Sequence, residues 1–472
     1  MIGRKDQIKV LKKTVAKKKS SFIAVTGRRR IGKTFLIDTF FKNNICFRLT
    51  GIQDASIEYQ VQNFTYKLEE FTTTRLSKRP TNWMEAFSEL KKYLQTLDKR
   101  SKKVIFIDEL PWVATARSGF LQLLGHLWND YLSKEKHFIL VVCGSSTSWI
   151  INKIVNDTGG LHNRLSEVIR LKPFTLSETQ LFLQSLNIRF TPQEISKLYM
   201  TLGGVPYYLE QVNMGDSAAT AIERICFSEG GILKNEYENL YKALFKNAQN
   251  HEAIVTVLAT SRAGLERKEI ISKSKIKAGG QYDRTMTELV QSGFVSEFIP
   301  YGRKKRGVLF RLNDEYSIFY HRFIKPNKKY TPGMWNQLAS GQAYKIWLGY
   351  AFENLCLKHI AEIKQTLGIS GVYSENSSIR VEGTKQEKGF QIDLIIDRND
   401  AIINICELKY YAGLLKIDKR YSLELIERRN RFIAVTKTKK QVYTTFITSL
   451  GIFENEYSNA TVDVSIELDE LF

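Results

Sequence analysis

Cysteine is scarce. Cys46, Cys143, Cys226, Cys356 and Cys406 are the five in a chain of 472 residues. The set is odd in number, none is spaced as CxxC, and most have apolar neighbours. This excludes a disulfide framework or a zinc site and implies buried thiols in a reducing compartment. Long apolar runs are also missing. The longest, FILVVC at 138–143, is far too short to span a bilayer, and the N-terminus carries no apolar signal core. A soluble, cytoplasmic chain with no membrane association is expected. Acid is in short supply, with 49 Asp plus Glu against 70 Lys plus Arg and a net charge of +21. That imbalance implies attraction to a polyanion, nucleic acid first and anionic membrane second. The bland alternative is a solubilising surface charge, and a stretch such as KKTVAKKK at 12–19 reads as the solvated side of a helix. Repeats and low-complexity tracts are absent as well.

What is present has the look of several domains, because a chain of this length exceeds one core and 43% hydrophobic content can fill more than one. The first half alternates short apolar runs with helical patterns, as in a parallel sheet with crossover helices. Strands are expected at 21–26, 45–50, 104–108, 138–143 and 168–171, with 56–99 helical. No strand pattern occurs from about 176 to 245, which reads as a helical lid. The stretch KPNKKYTPG at 325–333 holds two of the eight prolines and a run of charge, the composition of a linker. The expected plan is α/β and multidomain: a P-loop core at 1–175, a lid at 176–248, a winged helix-turn-helix at 249–325, a linker at 326–339 and a second α/β domain at 340–472.

Residues 24–41, AVTGRRRIGKTFLIDTFF, contain GxxxxGK[ST] between a strand and a helix. Glycines let backbone N–H groups turn inward around phosphate oxygens, and the helix N-terminus points at the same anion. Nucleotide contacts are expected from Gly27, Arg28, Arg29, Arg30, Ile31, Gly32, Lys33, Thr34 and Phe35. Lys33 supplies charge to the β/γ-phosphates, and the Thr34 hydroxyl ligates Mg²⁺. A second part of the same site follows in VIFIDELPW. There Asp108 is placed to hold Mg²⁺ through water and Glu109 to orient or deprotonate the attacking water. The next strand ends in Ser145 and Ser146, suited to sensing the γ-phosphate. Arg117 and Arg164 are arginine-finger choices acting in trans, which implies a homo-oligomer, with a surface ion pair as the bland reading of each. An NTPase using ATP and Mg²⁺ is expected.

GRRRIGKT, IDELPW, CGSS and GGVPYYL at 203–209 together resemble the archaeal-type ATPase family of the STAND branch of AAA+ proteins. The resemblance implies a five-stranded ATPase core, a helical lid whose GGxP stretch brings Pro206 near the nucleotide, a winged helix-turn-helix, and often a C-terminal restriction-endonuclease-like domain. One departure is Asn163 before Arg164, where the family usually has Gly-Arg.

Two short helical patterns at 266–274 and 279–295 precede a strand, a basic turn and another strand. Tyr282, Met286, Leu289 and Val290 recur at helical spacing and should face the core. Gln281, Arg284, Thr285, Glu288 and Gln291 then face outward, where a major groove would lie. Arg303, Lys304, Lys305 and Arg306 form a wing suited to DNA phosphates; the alternative is a wing that binds protein. Finally, GFQIDLIIDRNDAIINICELKYY at 389–411 places charge inside two apolar runs. Residues two apart in a strand share a face, so Glu407 and Lys409 project together, and Asp393 on the neighbouring antiparallel strand faces them. A D…ExK patch, with Glu353 from an upstream helix as a third carboxylate, suits Mg²⁺ and a lysine that activates water against a phosphodiester. The tripeptide alone is worth little, since ELK recurs at 89–91 on a solvated helix face. Context gives it weight, and the family resemblance points the same way. Two functions follow: an ATP-dependent enzyme acting on DNA with a metal-dependent nuclease, or a nucleotide-switched regulator whose C-terminal domain only binds.

Overall fold

The computed structural model describes residues 2–156, 159–161, 163–303, 307–327, 329–383 and 389–472. They form two compact units, one built mainly from residues 1–172 and the other from most of 173–472.

The first unit is built on five parallel strands, β1 (Ser21–Thr26), β2 (Ile45–Thr50), β3 (Lys103–Asp108), β4 (Phe138–Gly144) and β5 (Glu167–Arg170), in the order β2-β3-β4-β1-β5. β1 and β4 are buried along their whole length, as expected of central strands covered on both faces. The two-residue period divides β1 between two cores. Phe22 and Ala24 join Phe64, Trp83, Phe87 and Phe120 on one face, while Ile23 and Val25 meet Leu36, Ile37 and Phe41 on the other. The polar segment read as helical forms helices Ile57–Thr72 and Trp83–Thr96. Ser56 and Asn82 cap them by accepting from the Tyr59 and Glu85 amides, each cap contributing about 1 kcal/mol. The parallel register pairs Thr26 with Gly144 and Thr50 with Asp108. The loops after β1, β3 and β4 therefore leave the sheet along one edge.

The second unit opens with helices Leu176–Ser185 and Pro192–Leu202, capped by Thr175 and Thr191. A small sheet follows, β6 (Leu265–Glu266), β7 (Val295–Phe298) and β8 (Leu309–Leu312), in the order β6-β8-β7, with helices Arg267–Ser274 and Gly280–Gln291 between β6 and β7. Beyond it a five-stranded sheet takes β9 (Ser374–Val381), β10 (Phe390–Arg398), β11 (Ile402–Lys409), β13 (Gln441–Thr448) and β15 (Val464–Glu467), while β12 (Leu415–Lys416) pairs with β14 (Ile452–Phe453). β9, β10 and β11 run antiparallel, and β13 joins β11 in parallel after the crossover helix Lys419–Thr436.

The segment expected as a linker is corrected in part. Residues Met334–Ser340 form a helix. Trp335 is buried against Phe227, Phe319, Phe323 and Tyr344, with ring centroids 5.0–5.6 Å away. Its amide and that of Gly333 donate to the Glu223 carboxylate at 2.6 and 3.1 Å. Proline and lysine gave this stretch a linker composition, but one large ring anchors it. All five cysteines are buried free thiols. Among the described residues no helix is long and apolar enough to cross a membrane.

Candidate functional site

The turn after β1 is shaped by glycine. Gly27 has φ of 144°, and a Cβ there would lie 2.6 Å from the Leu171 carbonyl oxygen. Gly32, at φ 85°, caps the helix Lys33–Phe41 in the left-handed region, which L side chains adopt only with strain. Lys33 is buried, and its Nζ donates to the carbonyls of Gly27 and Arg28, both at 2.9 Å. Around it Arg28 and Ile31 are buried, Arg29, Arg30 and Thr34 half-buried, and Phe35 exposed. The Thr34 hydroxyl donates to Asp108 Oδ2 at 2.8 Å, joining the two parts of the site read from separate motifs. Asp108 also accepts the Glu109 amide at 2.9 Å and lies 3.8 Å from Arg48, which grips Asp38 at 2.9 and 3.0 Å. Glu109 stands at φ 47°, and its carboxylate accepts from both the amide and the hydroxyl of Ser145. Ser146 begins the next short helix without a side-chain cap. Arg117 and Arg164 are exposed. Pro206 opens the short helix Pro206–Leu209 in the other unit.

Arg4 was not legible as part of this site. It is buried, and its guanidinium donates to the carbonyls of Ile31 in the loop (2.9 Å) and Lys172 (2.6 Å). Its only sequence signal is a charge ahead of a Lys-rich helix, among residues that are solvated.

In the C-terminal sheet, the β10–β11 ladder ends at Leu394 opposite Cys406, the residues next to Asp393 and Glu407. Glu407 is buried and bound on one oxygen by Arg428 of the crossover helix, with Lys409 at 3.5 Å from the other. Asp393 accepts from Gln391 Nε2 at 2.6 Å. Glu353, on the helix Gln342–Lys358, is pushed up to about 8 by burial and then by the charge of Asp393, while Arg311, Lys409 and Arg262 pull it back. All four motif residues thus share one neighbourhood, but their carboxylates are not gathered into a ligand set. Among the described residues no three Asp, Glu, His or Cys side chains gather closely enough to hold a metal ion. Arg428 takes up the charge of Glu407 instead. Tyr410 packs on Phe352 at 5.6 Å, whereas Tyr411 is exposed.

On the helix Gly280–Gln291 the outward face is narrower than the spacing implied. Gln281 and Arg284 are exposed, but Thr285 is buried and donates to the Gln281 carbonyl at 2.9 Å. Glu288 turns back to His251 at 2.8 Å, with Arg284 folded over it at 3.1 Å. Arg303 pairs with Glu266 at 3.1 Å; Lys304, Lys305 and Arg306 lie outside the described residues. Beside this turn Tyr301 is tied to the C-terminal sheet. Its amide donates to the Ser378 carbonyl at 2.8 Å and its hydroxyl to Asp397 at 3.1 Å.

Residues 1–212 match the family described as an ATPase domain predominantly from Archaea. The match takes in the phosphate-loop turn after β1 and the Asp108–Glu109 end of β3, and covers less than half of the chain. A protein of Methanocaldococcus jannaschii described as uncharacterized, MJECL04, is 23% identical over 416 residues, 87% of each chain. An ATP-binding protein of the same organism, MJ1659, also described as uncharacterized, is 28% identical over 181 residues, 38% of this chain and 47% of its own. Among solved structures, the Walker-type ATPase PABY2304 of Pyrococcus abyssi aligns with a TM-score of 0.52 at 15% identity, over 68% of this chain and 96% of its own. That likeness is one of fold.

Proposed function

We propose that the chain is an ATP-hydrolysing enzyme that acts on DNA and carries a nuclease-type C-terminal domain. The observation that supports ATP turnover is the contact of Thr34 with Asp108 at 2.8 Å, one residue before Glu109. Lys33 now satisfies its ammonium with loop carbonyls and would exchange them for phosphate oxygens. The Thr34 hydroxyl and Asp108 carboxylate offer hard oxygens at one point, which fits Mg²⁺. Bound there, the ion supplies charge neutralisation at the transferring phosphate. Glu109, held by Ser145, would be released to orient the attacking water. An exposed arginine, Arg117 or Arg164, from a second copy would complete the site, so a homo-oligomer belongs to this reading.

Support for cutting comes from the charges of Asp393 and Lys409 that act on the Glu353 carboxyl and from Lys409 at 3.5 Å from Glu407. Glu407 becomes a free ligand only when Arg428 lets go of it. A second reading draws on that same ion pair: with Glu407 neutralised, the domain binds DNA or protein and the chain is a nucleotide-switched regulator. A labelled-DNA cleavage assay with Mg²⁺ or Mn²⁺ and ATP separates them, run on wild type, Lys33→Ala and Asp393→Ala. The nuclease reading expects cutting that Asp393→Ala abolishes while ATP hydrolysis continues, and hydrolysis that Lys33→Ala abolishes. Uncut linear and single-stranded DNA under every metal condition would sink it and leave the regulator.

A further inference from the structure

Within the second unit, the winged-helix segment and the C-terminal sheet enclose a cavity of about 460 Å³ that neither motif explains. The loop 260–265 and Arg311 of β8 line one side, and Tyr350, Glu353, Arg380 and Gln391 the other. Three guanidiniums, of Arg262, Arg311 and Arg380, face two carboxylates, and one of these, Glu269, is occupied in capping the helix Arg267–Ser274.

What marks the cavity is how its arginines are held. Arg311 Nε is buried with no hydrogen-bond partner, and among the described residues Arg311 makes no ion pair. Its guanidinium lies 4.8 Å from the ring centre of Phe298. Burial lowers its pKa, and the charges of Glu353 and Asp393 oppose that shift. Arg262 lies 3.5 Å over the ring of Tyr350, likewise without an ion pair among the described residues. Aromatic faces fix the planes of both groups while leaving their N–H forks open. Arg311 is half-buried and Arg262 exposed, and a planar fork of this kind is matched by the paired oxygens of a phosphate. Gly264 (φ 80°) sets the spacing between the two arginines. A Cβ there would meet the Phe310 carbonyl oxygen at 3.0 Å and the Phe298 ring at 3.1 Å, so only glycine brings the loop this close to β8. On the far wall Gln391 connects the cavity to Asp393.

We propose that this cavity seats a phosphodiester of a single nucleic-acid strand, gripped by Arg311 and Arg262 and presented towards Asp393. The identity of the strand as DNA rests on the nuclease-type reading above; the anion site itself stands on two guanidiniums that make no ion pair among the described residues. Binding of a short fluorescein-labelled DNA strand to the full chain, measured by anisotropy in EDTA so that nothing is cut, tests it. Arg311→Gln and Arg262→Ala are each expected to weaken binding about tenfold and to flatten its salt dependence by about one unit of slope. Arg311→Lys is expected to restore part of the loss. Unlabelled strand should displace the probe, whereas inorganic phosphate and ATP at equal phosphate concentration should not. Wild-type affinity in both Arg262→Ala and Arg311→Gln, or equal displacement by free phosphate, overturns the proposal. If Arg311→Gln fails to fold, the exposed Arg262 decides alone. Weakened binding in a protein that cuts no DNA with Mg²⁺ removes the nuclease and keeps this site; cutting with unchanged binding in the variants removes only this site.

Discussion

At the scale of single residues the side chains of the N-terminal site are held by hydrogen bonds within the protein. Lys33 is satisfied by carbonyls of its own loop, and Glu109 by Ser145. On the proposed reading, each would exchange these partners for a phosphate oxygen or a water. Replacing Glu109 with Gln keeps the size of the side chain and its hydrogen bond to the Ser145 amide but removes the charge proposed to polarise water. Glu109→Gln is expected to retain ATP binding by calorimetry and lose roughly 10²-fold or more in turnover. Equal loss of binding and turnover would place Glu109 in the frame of the loop instead.

At the scale of elements, two contacts in the second unit make predictions. The helix Met334–Ser340 is anchored by Trp335, so Trp335→Ala should cost about 3–5 kcal/mol, read as a lower urea midpoint. A solvated linker would tolerate the change. His359 is buried; the Leu176 amide donates to its Nε2 at 3.1 Å, and its Nδ1 meets the Leu355 carbonyl at 2.8 Å. Because Nε2 accepts, the ring is neutral, and burial depresses its pKa from 6.5 to about 4. The unfolded chain therefore takes up this proton first as pH falls. Stability should drop between about pH 6.5 and 4, by roughly 3 kcal/mol from this one ring. Denaturation of wild type and His359→Gln at pH 7 and pH 5 isolates the contribution, and equal losses in both would remove it. The strands of the P-loop unit were legible within a residue or so, because buried parallel strands are continuous apolar runs. Thr285 and the helix at 334–340 were not. Helical spacing cannot rank a threonine between core and solvent, and composition hides an anchor carried by one tryptophan.

At the scale of the whole molecule, the excess of 21 positive charges should appear as salt dependence. The affinity of the full chain for DNA is expected to fall linearly on a log–log plot against salt, with a slope of several units. A slope near zero would make the excess a solubilising charge and no more. The phosphate-loop and Asp108–Glu109 motifs were readable because each is short and contiguous, and Thr34 does meet Asp108. The partners that modify them were not, since Arg4 reaches Ile31 and Arg428 reaches Glu407 only through the fold. Spacing reports which residues share a face of one strand or helix. It carries no record of which cation a distant helix will lay against them.

The buried thiols offer a gauge of opening. Cys46 and Cys143 lie in β2 and β4 of the first unit, and Cys226, Cys356 and Cys406 in the second. Burial drives their pKa upward, Cys46 to about 12. A thiol that is shielded and protonated is inert to alkylation until its surroundings part. Iodoacetamide followed by peptide mass spectrometry would therefore record, cysteine by cysteine, which unit breathes first as the chain is warmed or supplied with nucleotide, without a single engineered label.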